Sequence, residues 1–347
     1  MMKSGNSISH NGAKEMLRGK HYRWLVTGAA GFIGSHLVDE LLKNNQQVVG
    51  FDNFETGKRE NLEDVRKSVG EKPWREFRFV EGSICEVKSC QDVTTGVDFI
   101  LHHAALGSVP FSFDFPAKTH ATNVTGFLNV LEAARSATVK RVVYASSSAV
   151  YGDVQSKTHT EVNRGRPLSP YAVSKNMNEE TADQYTRLFK VSTVGLRYFN
   201  IFGPRQDVNG AYSAVIPKWI ENGLAGRDLE IYGTGETTRD FCYVKDVFRA
   251  NIQAALSPGA DISGESFNIG LGSAVSLNQL AEKIQIAVQA GGGTRATQVV
   301  RGNFRAGDIL HSCADMTKTE KILGFHAKHS IDDGLALTVD WYRTQKK

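Results

Sequence analysis

Between Arg23 and about Arg197 the chain alternates short apolar runs, rich in Val, Ile and Phe, with longer amphipathic stretches. The runs RWLVT (23–27), VVGF (48–51), FRFVEG (77–82), FILHHA (99–104), RVVYA (141–145) and STVGLR (192–197) read as strands. Most gaps between them carry apolar residues at helical spacing, as in SHLVDELLK after Gly34, NVTGFLNVLEAAR from Asn123 and the stretch that begins at Tyr171. Strand and helix in alternation predict a parallel sheet covered on both faces, because parallel strands need crossovers and these are almost always right-handed. The expected fold class is α/β: a doubly wound (Rossmann) parallel sheet with a smaller α/β domain.

Beyond Asn200 the pattern loosens. Gly- and Pro-bearing loops (FGPRQDVNGAYS) are followed by the short strands LEIYG, SFNIG and TQVVRG and by helices near 215–222, 277–290 and 331–343. This predicts an N-terminal extension over 1–21, a large doubly wound domain over 22–200, and a smaller domain over 201–239 and 257–347. The stretch 240–256, which contains VKDVFRANIQAAL, is expected to return to the large sheet. No internal repeat is present, and the GGG at 291–293 reads as a helix stop and turn.

Composition narrows the function classes. The chain has 347 residues, long enough for about two domains, with 41% hydrophobic and 22% charged residues and a net charge of only +4. Its basic residues are scattered, so no nucleic-acid or membrane stripe is expected. Cys85, Cys90, Cys242 and Cys313 form no CxxC pair and have no histidine at metal-ligand spacing, which predicts thiols, no metal and a cytoplasmic setting. Residues 1–20 are polar and contain no signal-peptide core, and no run is long enough to span a bilayer.

The first candidate chemistry is TGAAGFIG (27–34), which follows the first strand and opens a helix. Gly28, Gly31 and Gly34 there permit a tight turn, close approach of a pyrophosphate and helix-on-strand packing, and the helix N-terminus supplies N–H donors. Asp52 closes the second strand 18 residues after Gly34, where a carboxylate accepts both ribose hydroxyls of an adenosine and repels a 2'-phosphate. NAD is therefore expected over NADP, with Lys58 and Arg59 the nearby cations that count the other way.

The second is LSPYAVSKNMNEE (168–180), which sets Tyr171 and Lys175 one helical turn apart on one face. An ammonium so placed lowers a phenol's pKa and makes it a general base for a hydroxyl, although an isolated YxxxK is usually a plain surface pair. RVVYASSSAVYGD adds Ser146, Ser147 and Ser148 at the carboxyl end of a parallel strand, where open α/β sheets bind their ligands.

Together TGAAGFIG, Asp52, SSSAVYG, YAVSK and GLRYFN resemble the extended short-chain dehydrogenase/reductase family, and within it the UDP-hexose 4-epimerases. The likeness runs from about residue 22 to the C-terminus. The blocks AALGSVP (104–110), PLSPYAVSK, GLRYFNIFGPRQDVNGAYSAVIPKW (195–219) and TTRDFCYVKDV look like the branch acting on UDP-N-acetylhexosamines. The resemblance implies a catalytic base at Tyr171, its pKa partner and ribose ligand at Lys175, and a catalytic hydroxyl at Ser147 with Ser148 as helper. It implies cofactor contacts at Gly28, Gly31, Phe32, Ile33, Gly34, Asp52, Asn53, Ser83, Ile84, Ala104, Ala105, Asn123, Tyr171, Lys175 and Tyr198. Asn123, in the helix beside the nicotinamide, would be structural or relay-forming. For the UDP-sugar, it places Asn200, Arg239 and Arg305 at the diphosphate, Asp308 at the uridine ribose and Tyr232 at the ribose or uracil wall. Gly107, Ser108, Ser147, Ser148, Val215 and Ser312 complete the substrate contacts. A homodimer through helices near 116–135 and 169–189 and a part in polysaccharide-precursor synthesis are also implied.

By the same resemblance, related dehydratases carry Asp-Glu directly after the catalytic hydroxyl residue, where this chain has Ser148 and Ala149. Elimination then lacks its proton shuttle, and decarboxylation, which also uses a nearby Glu, is disfavoured. C4 epimerisation needs neither. Four positions after the Asp of RAGD the family sets sugar size, and Ser312 is small enough for an N-acetyl group, which favours UDP-GlcNAc and UDP-GalNAc. The alternatives are a UDP-glucose/galactose or UDP-hexuronic acid 4-epimerase, or a catalytically silent NAD-binding protein. Two positions depart from the pattern: Ser83 stands where relatives have Asp, and Phe111 where they have Arg. His102, His103 and Trp219 read as packing.

Overall fold

Seven parallel strands order the larger part of the molecule: β1 (Arg23–Thr27), β2 (Gln47–Asp52), β3 (Phe77–Glu81), β4 (Phe99–His102), β5 (Arg141–Ser147), β7 (Thr193–Tyr198) and β11 (Ser266–Ile269), in the spatial order β11-β7-β5-β4-β1-β2-β3. The chain order reverses between β1 and β4, which opens a crevice at the carboxyl edge of the sheet. The computed structural model describes residues 13–208, 214–258, 262–292, 298–303 and 310–345.

Burial on both faces explains why these strands read as continuous apolar runs. Trp24 and Val26 of β1 join one buried cluster and Leu25 the opposite one; Phe99 and Leu101 of β4 split from Ile100 in the same way. Helix Phe32–Lys43 covers the first face, and helices Val87–Thr94 and Gly126–Ser136 cover the second. Helix Val244–Leu256 is almost wholly buried and packs on the large sheet.

The smaller part contains β6 (Thr158–His159), β8 (Asn200–Phe202), β10 (Thr238–Tyr243), β12 (Ala274–Ser276) and β14 (His311–Ala314) in one sheet, with β9 (Leu229–Tyr232) and β13 (Val299–Gly302) paired beside it. Its core is a third cluster built on Trp219, Ile220, Ile231, Leu280, Ile284 and Leu335. Helix Leu277–Ala290 starts at a capping box, with Ser276 Oγ accepting from Gln279 N and the Gln279 side chain accepting from Ser276 N. Arg205 ties the two parts together, donating to Asp39 (2.9 Å) and Asp64 (2.6 Å).

Three placements differ from the sequence reading. SFNIG, assigned there to the smaller domain, is the outer strand β11 of the large sheet, where it pairs with β7. Conversely β6, from within the 22–200 stretch, crosses to pair with β14. Within the 1–21 segment, helix Ala13–Leu17 lays Ala13 and Leu17 into the main core.

Candidate active site

The turn after β1 shows why glycine is required there. Gly28 has φ +70°, and a Cβ on it would lie 2.8 Å from the backbone of His103 and Ala104; a Cβ on Gly34 would lie 1.9 Å from Gly28 O. The helix that follows begins at Phe32 with Gly31 as an uncapped N-cap and no acid in its first turn, so its N–H groups face the crevice without a competing side chain. Ile33 and Phe32 are half-buried and pack toward the third cluster.

Asp52 ends β2, 8% exposed, and accepts from Ala30 N (2.9 Å) and Phe54 N (2.7 Å). Burial holds its carboxyl above the usual carboxylate range, and the backbone donors only partly offset this. The two cations that could have favoured a 2'-phosphate are engaged elsewhere: Lys58 pairs with Asp207 (2.6 Å), and Arg59 pairs with Glu81 (2.8 Å) and lies over the Phe54 ring. Asn53, Ser83, Ile84, Ala104 and Ala105 line the same crevice as Gly28, Gly31 and Asp52. Glu55, Thr56, Leu106 and Thr122 line it too, and only their place in the fold reveals it. Glycine cradle, open helix end and the acid at the end of β2 fit a dinucleotide with two free ribose hydroxyls.

Asn123 does not line the crevice. It is 1% exposed in a π-helical turn, where its side chain closes a ring with Leu106 N (2.8 Å) and O (3.1 Å) and donates to Ser174 Oγ (3.1 Å). Tyr198 likewise turns its hydroxyl into the core, against His103 Nε2 (2.9 Å) and Asn251 Nδ2 (2.8 Å).

Tyr171 and Lys175 lie in the first turns of helix Pro170–Phe189, which starts on Pro170 with Ser169 Oγ accepting from Ala172 N. The Lys175 ammonium is 5.8 Å from the centre of the Tyr171 ring and donates to Ala145 O (2.8 Å), at the end of β5. Ser147, the last residue of β5, caps the turn Ser148–Tyr151 and hydrogen-bonds the Tyr171 phenol. The three groups therefore converge. One expectation is corrected: burial raises the Tyr171 pKa and Ser147 only opposes it, so lysine proximity does not produce a depressed phenol. Lys175 is itself lowered to about 8 by burial, with Glu179 acting the other way.

The substrate candidates spread along the smaller sheet. Arg239 of β10 lies in register with Ser312 of β14, a 7% exposed residue. Asn200 Nδ2 donates to Asp240 O (3.1 Å), Tyr232 Oη donates to Glu230 (2.8 Å), and Val215 opens helix Val215–Leu224. Ser108 caps helix Val109–Asp114 just after exposed Gly107. Arg305 and Asp308 lie outside the described residues. Asp240, unremarked in the sequence, is fully buried and accepts from Leu271 N, Gly272 N and Ala314 N, fixing the loops on either side of Arg239 and Ser312. Among the described residues no cluster of His, Cys, Asp or Glu could hold a metal ion, and no helix is long and apolar enough to cross a membrane.

A parallel sheet in this order, with its glycine cradle and single acid on the second strand, defines a dinucleotide-binding protein of the Rossmann type. The chain belongs to the NAD dependent epimerase/dehydratase family, which it matches over residues 24–270, and NAD is its cofactor. It is 35% identical over 332 residues to a UDP-glucose 4-epimerase of Mycolicibacterium smegmatis, covering 94% of this chain and 100% of that one. Among solved structures it resembles a UDP-N-acetylglucosamine 4-epimerase of Methanobrevibacter ruminantium M1 in complex with UDP-N-acetylmuramic acid (TM-score 0.85, 34% identity, 94% and 99% of the two chains). It also resembles the UDP-glucose 4-epimerase of Thermus thermophilus in complex with NAD (TM-score 0.80, 32% identity, 92% and 99%).

Proposed function

We propose that the chain is a UDP-sugar 4-epimerase that retains NAD and interconverts UDP-GlcNAc and UDP-GalNAc through a transient 4-keto sugar. The observation that carries this is the convergence of Tyr171, Lys175 and Ser147 beside the cofactor crevice, with no acid at Ser148 or Ala149 to drive elimination. The names of its relatives support C4 epimerisation of a UDP-sugar. Small, buried Ser312 beside Arg239 supports an N-acetylated sugar.

Bound NAD supplies the hydride acceptor at C4 and a positive ring charge that favours a phenolate nearby. Tyr171 takes the 4-hydroxyl proton as the C4–H bond breaks, Ser147 shares a hydrogen bond with the same oxygen, and Lys175 steadies the phenolate. The keto sugar turns over in the pocket. Tyr171 then returns its proton to the oxygen, and the bound cofactor would give the hydride back to the opposite face, leaving sugar and enzyme with no net redox change.

Incubation with UDP-GlcNAc and no added cofactor is expected to yield a mixture with UDP-GalNAc; absence of conversion contradicts the reading. Ser312→Tyr is expected to spare UDP-glucose conversion while cutting kcat/KM for UDP-GlcNAc by ~100-fold, since an overfilled pocket costs about 3 kcal/mol at that site. A parallel loss on both sugars would place Ser312 outside the acetyl pocket.

We further infer a homodimer. Leu128, Val173, Met177, Leu188 and Phe189 are all exposed on helices Gly126–Ser136 and Pro170–Phe189, and two copies of these helices can bury them in a four-helix bundle. Sedimentation is expected to give twice the chain mass, and a monomer at micromolar concentration contradicts the inference.

A further inference from the structure

We propose that Glu179 is the positioning residue of this centre, a buried carboxylate that joins the helix carrying Tyr171 and Lys175 to the strand end carrying Ser147 and to β7, and sets a negative charge one helical turn behind Lys175. The inference rests on the epimerase reading and deepens it.

The geometry is specific. Glu179 lies four residues after Lys175 on helix Pro170–Phe189, with its side chain 1% exposed. Its Oε1 accepts from Ser146 Oγ (2.5 Å), next to Ser147 at the end of β5, and from Arg197 Nε (2.9 Å) of β7. Its Oε2 accepts from Arg197 Nη2 (2.8 Å) and from Arg164 Nη2 (2.8 Å). Helix, β5 and β7 are thus pinned at one carboxylate, one helical turn from Lys175 and next to Ser147 at the end of β5.

A bolt of this kind could be purely structural, since a buried ion pair is often replaceable by apolar packing. The surroundings of Lys175 argue for more. Across from it on β4 stand His102 and His103, at the end of β5 it donates to Ala145 O (2.8 Å), and on its own helix it has Tyr171 and Glu179, with Arg197 of β7 paired to that Glu179. Burial disfavours its ammonium, and Glu179 is the charge that opposes this. Burial also pushes the Glu179 carboxyl up, but the Arg197, Ser146 and Arg164 bonds outweigh it and hold Glu179 ionised. A constant anion therefore stands behind the lysine, and through it behind the phenolate form of Tyr171.

The test compares wild type, Glu179→Gln and Arg164→Gln in cofactor-loaded enzyme, reading Tm, KM and the pH profile of kcat. In wild type the alkaline limb is expected to follow loss of the Lys175 proton, whose pKa burial lowers to about 8. Glu179→Gln keeps the shape but removes the anion, so kcat is expected to fall with KM nearly unchanged and the limb to move to lower pH by at least ~0.5 unit. Arg164 is partly exposed, and its loss removes one of the two cations that neutralise Glu179. Arg164→Gln is therefore expected to move the limb to higher pH. A lowered Tm with an unmoved limb in both variants would make Glu179 a structural bolt and overturn the proposal. If Glu179→Gln fails to fold, an unmoved limb in Arg164→Gln overturns it alone. A wild-type protein that converts no UDP-hexose would instead overturn the epimerase reading, and this inference with it.

Discussion

Tyr171→Phe is expected to lower kcat for UDP-sugar epimerisation by at least ~100-fold while leaving Tm and NAD content unchanged. The substitution removes one oxygen and keeps the ring. The phenol's contacts with the rest of the protein are few: its hydroxyl meets Ser147, and its ring lies 5.8 Å from the Lys175 ammonium. Helix Pro170–Phe189 is held by other residues, among them Ser169 at its cap and buried Ala172, Asn178 and Ala182. Stability therefore has little to lose and proton transfer has everything to lose. The measurement is turnover at substrate saturation beside a melting curve and the 260 nm absorbance of bound nucleotide. Activity within a few-fold of wild type would show that another group takes the proton.

Gly34→Ala is the second large effect, and it acts on folding and cofactor retention together. A Cβ at position 34 would lie 1.9 Å from Gly28 O and 2.7 Å from Gly28 C, both backbone atoms of the cradle itself. No rotamer change relieves a clash with backbone, so helix Phe32–Lys43 must move off β1 or the Gly28 turn must open. Either movement spoils the approach of the pyrophosphate to the helix end. The expected cost is about 3 kcal/mol, the upper range for overpacking, and the purified protein is expected to lose its resident nucleotide. Denaturant unfolding with and without added NAD checks both parts. An unchanged midpoint and a full complement of nucleotide would mean that this glycine does not set the helix-to-strand distance.

The parts of this molecule that were readable in the chain are those specified by neighbours in sequence. Strands β1 to β5 and β7 follow from apolar runs, the cradle from glycines at a strand-to-helix turn, and Asp52 from its place at the end of β2. The pairing of Tyr171 with Lys175 follows from helical spacing alone. What was not readable depends on partners far along the chain. β6 and β8 are two and three residues long and exist because β14 and β10 pair with them. β11 has the same local pattern as the smaller domain's strands, and only its pairing with β7 assigns it to the large sheet.

Electrostatics was the least legible property. A lysine four residues from a tyrosine predicts a depressed phenol, yet burial is a tertiary quantity and in the folded protein it dominates, raising Tyr171 and lowering Lys175. The Glu179–Arg197 pair joins a helix to a strand across 18 residues, and nothing in local periodicity announces it. Asn123 and Tyr198 stand near the crevice by position but spend their polar atoms on Leu106, Ser174, His103 and Asn251.

The central claim is that one hydrogen leaves C4 as hydride and returns to the same carbon without meeting solvent. UDP-GlcNAc carrying deuterium at C4, turned over in ordinary water to its equilibrium mixture, tests this most directly. Full retention of deuterium at C4 of the UDP-GalNAc formed is the expected result. Wash-out of the label into solvent would mean that a proton leaves carbon, and would contradict the account.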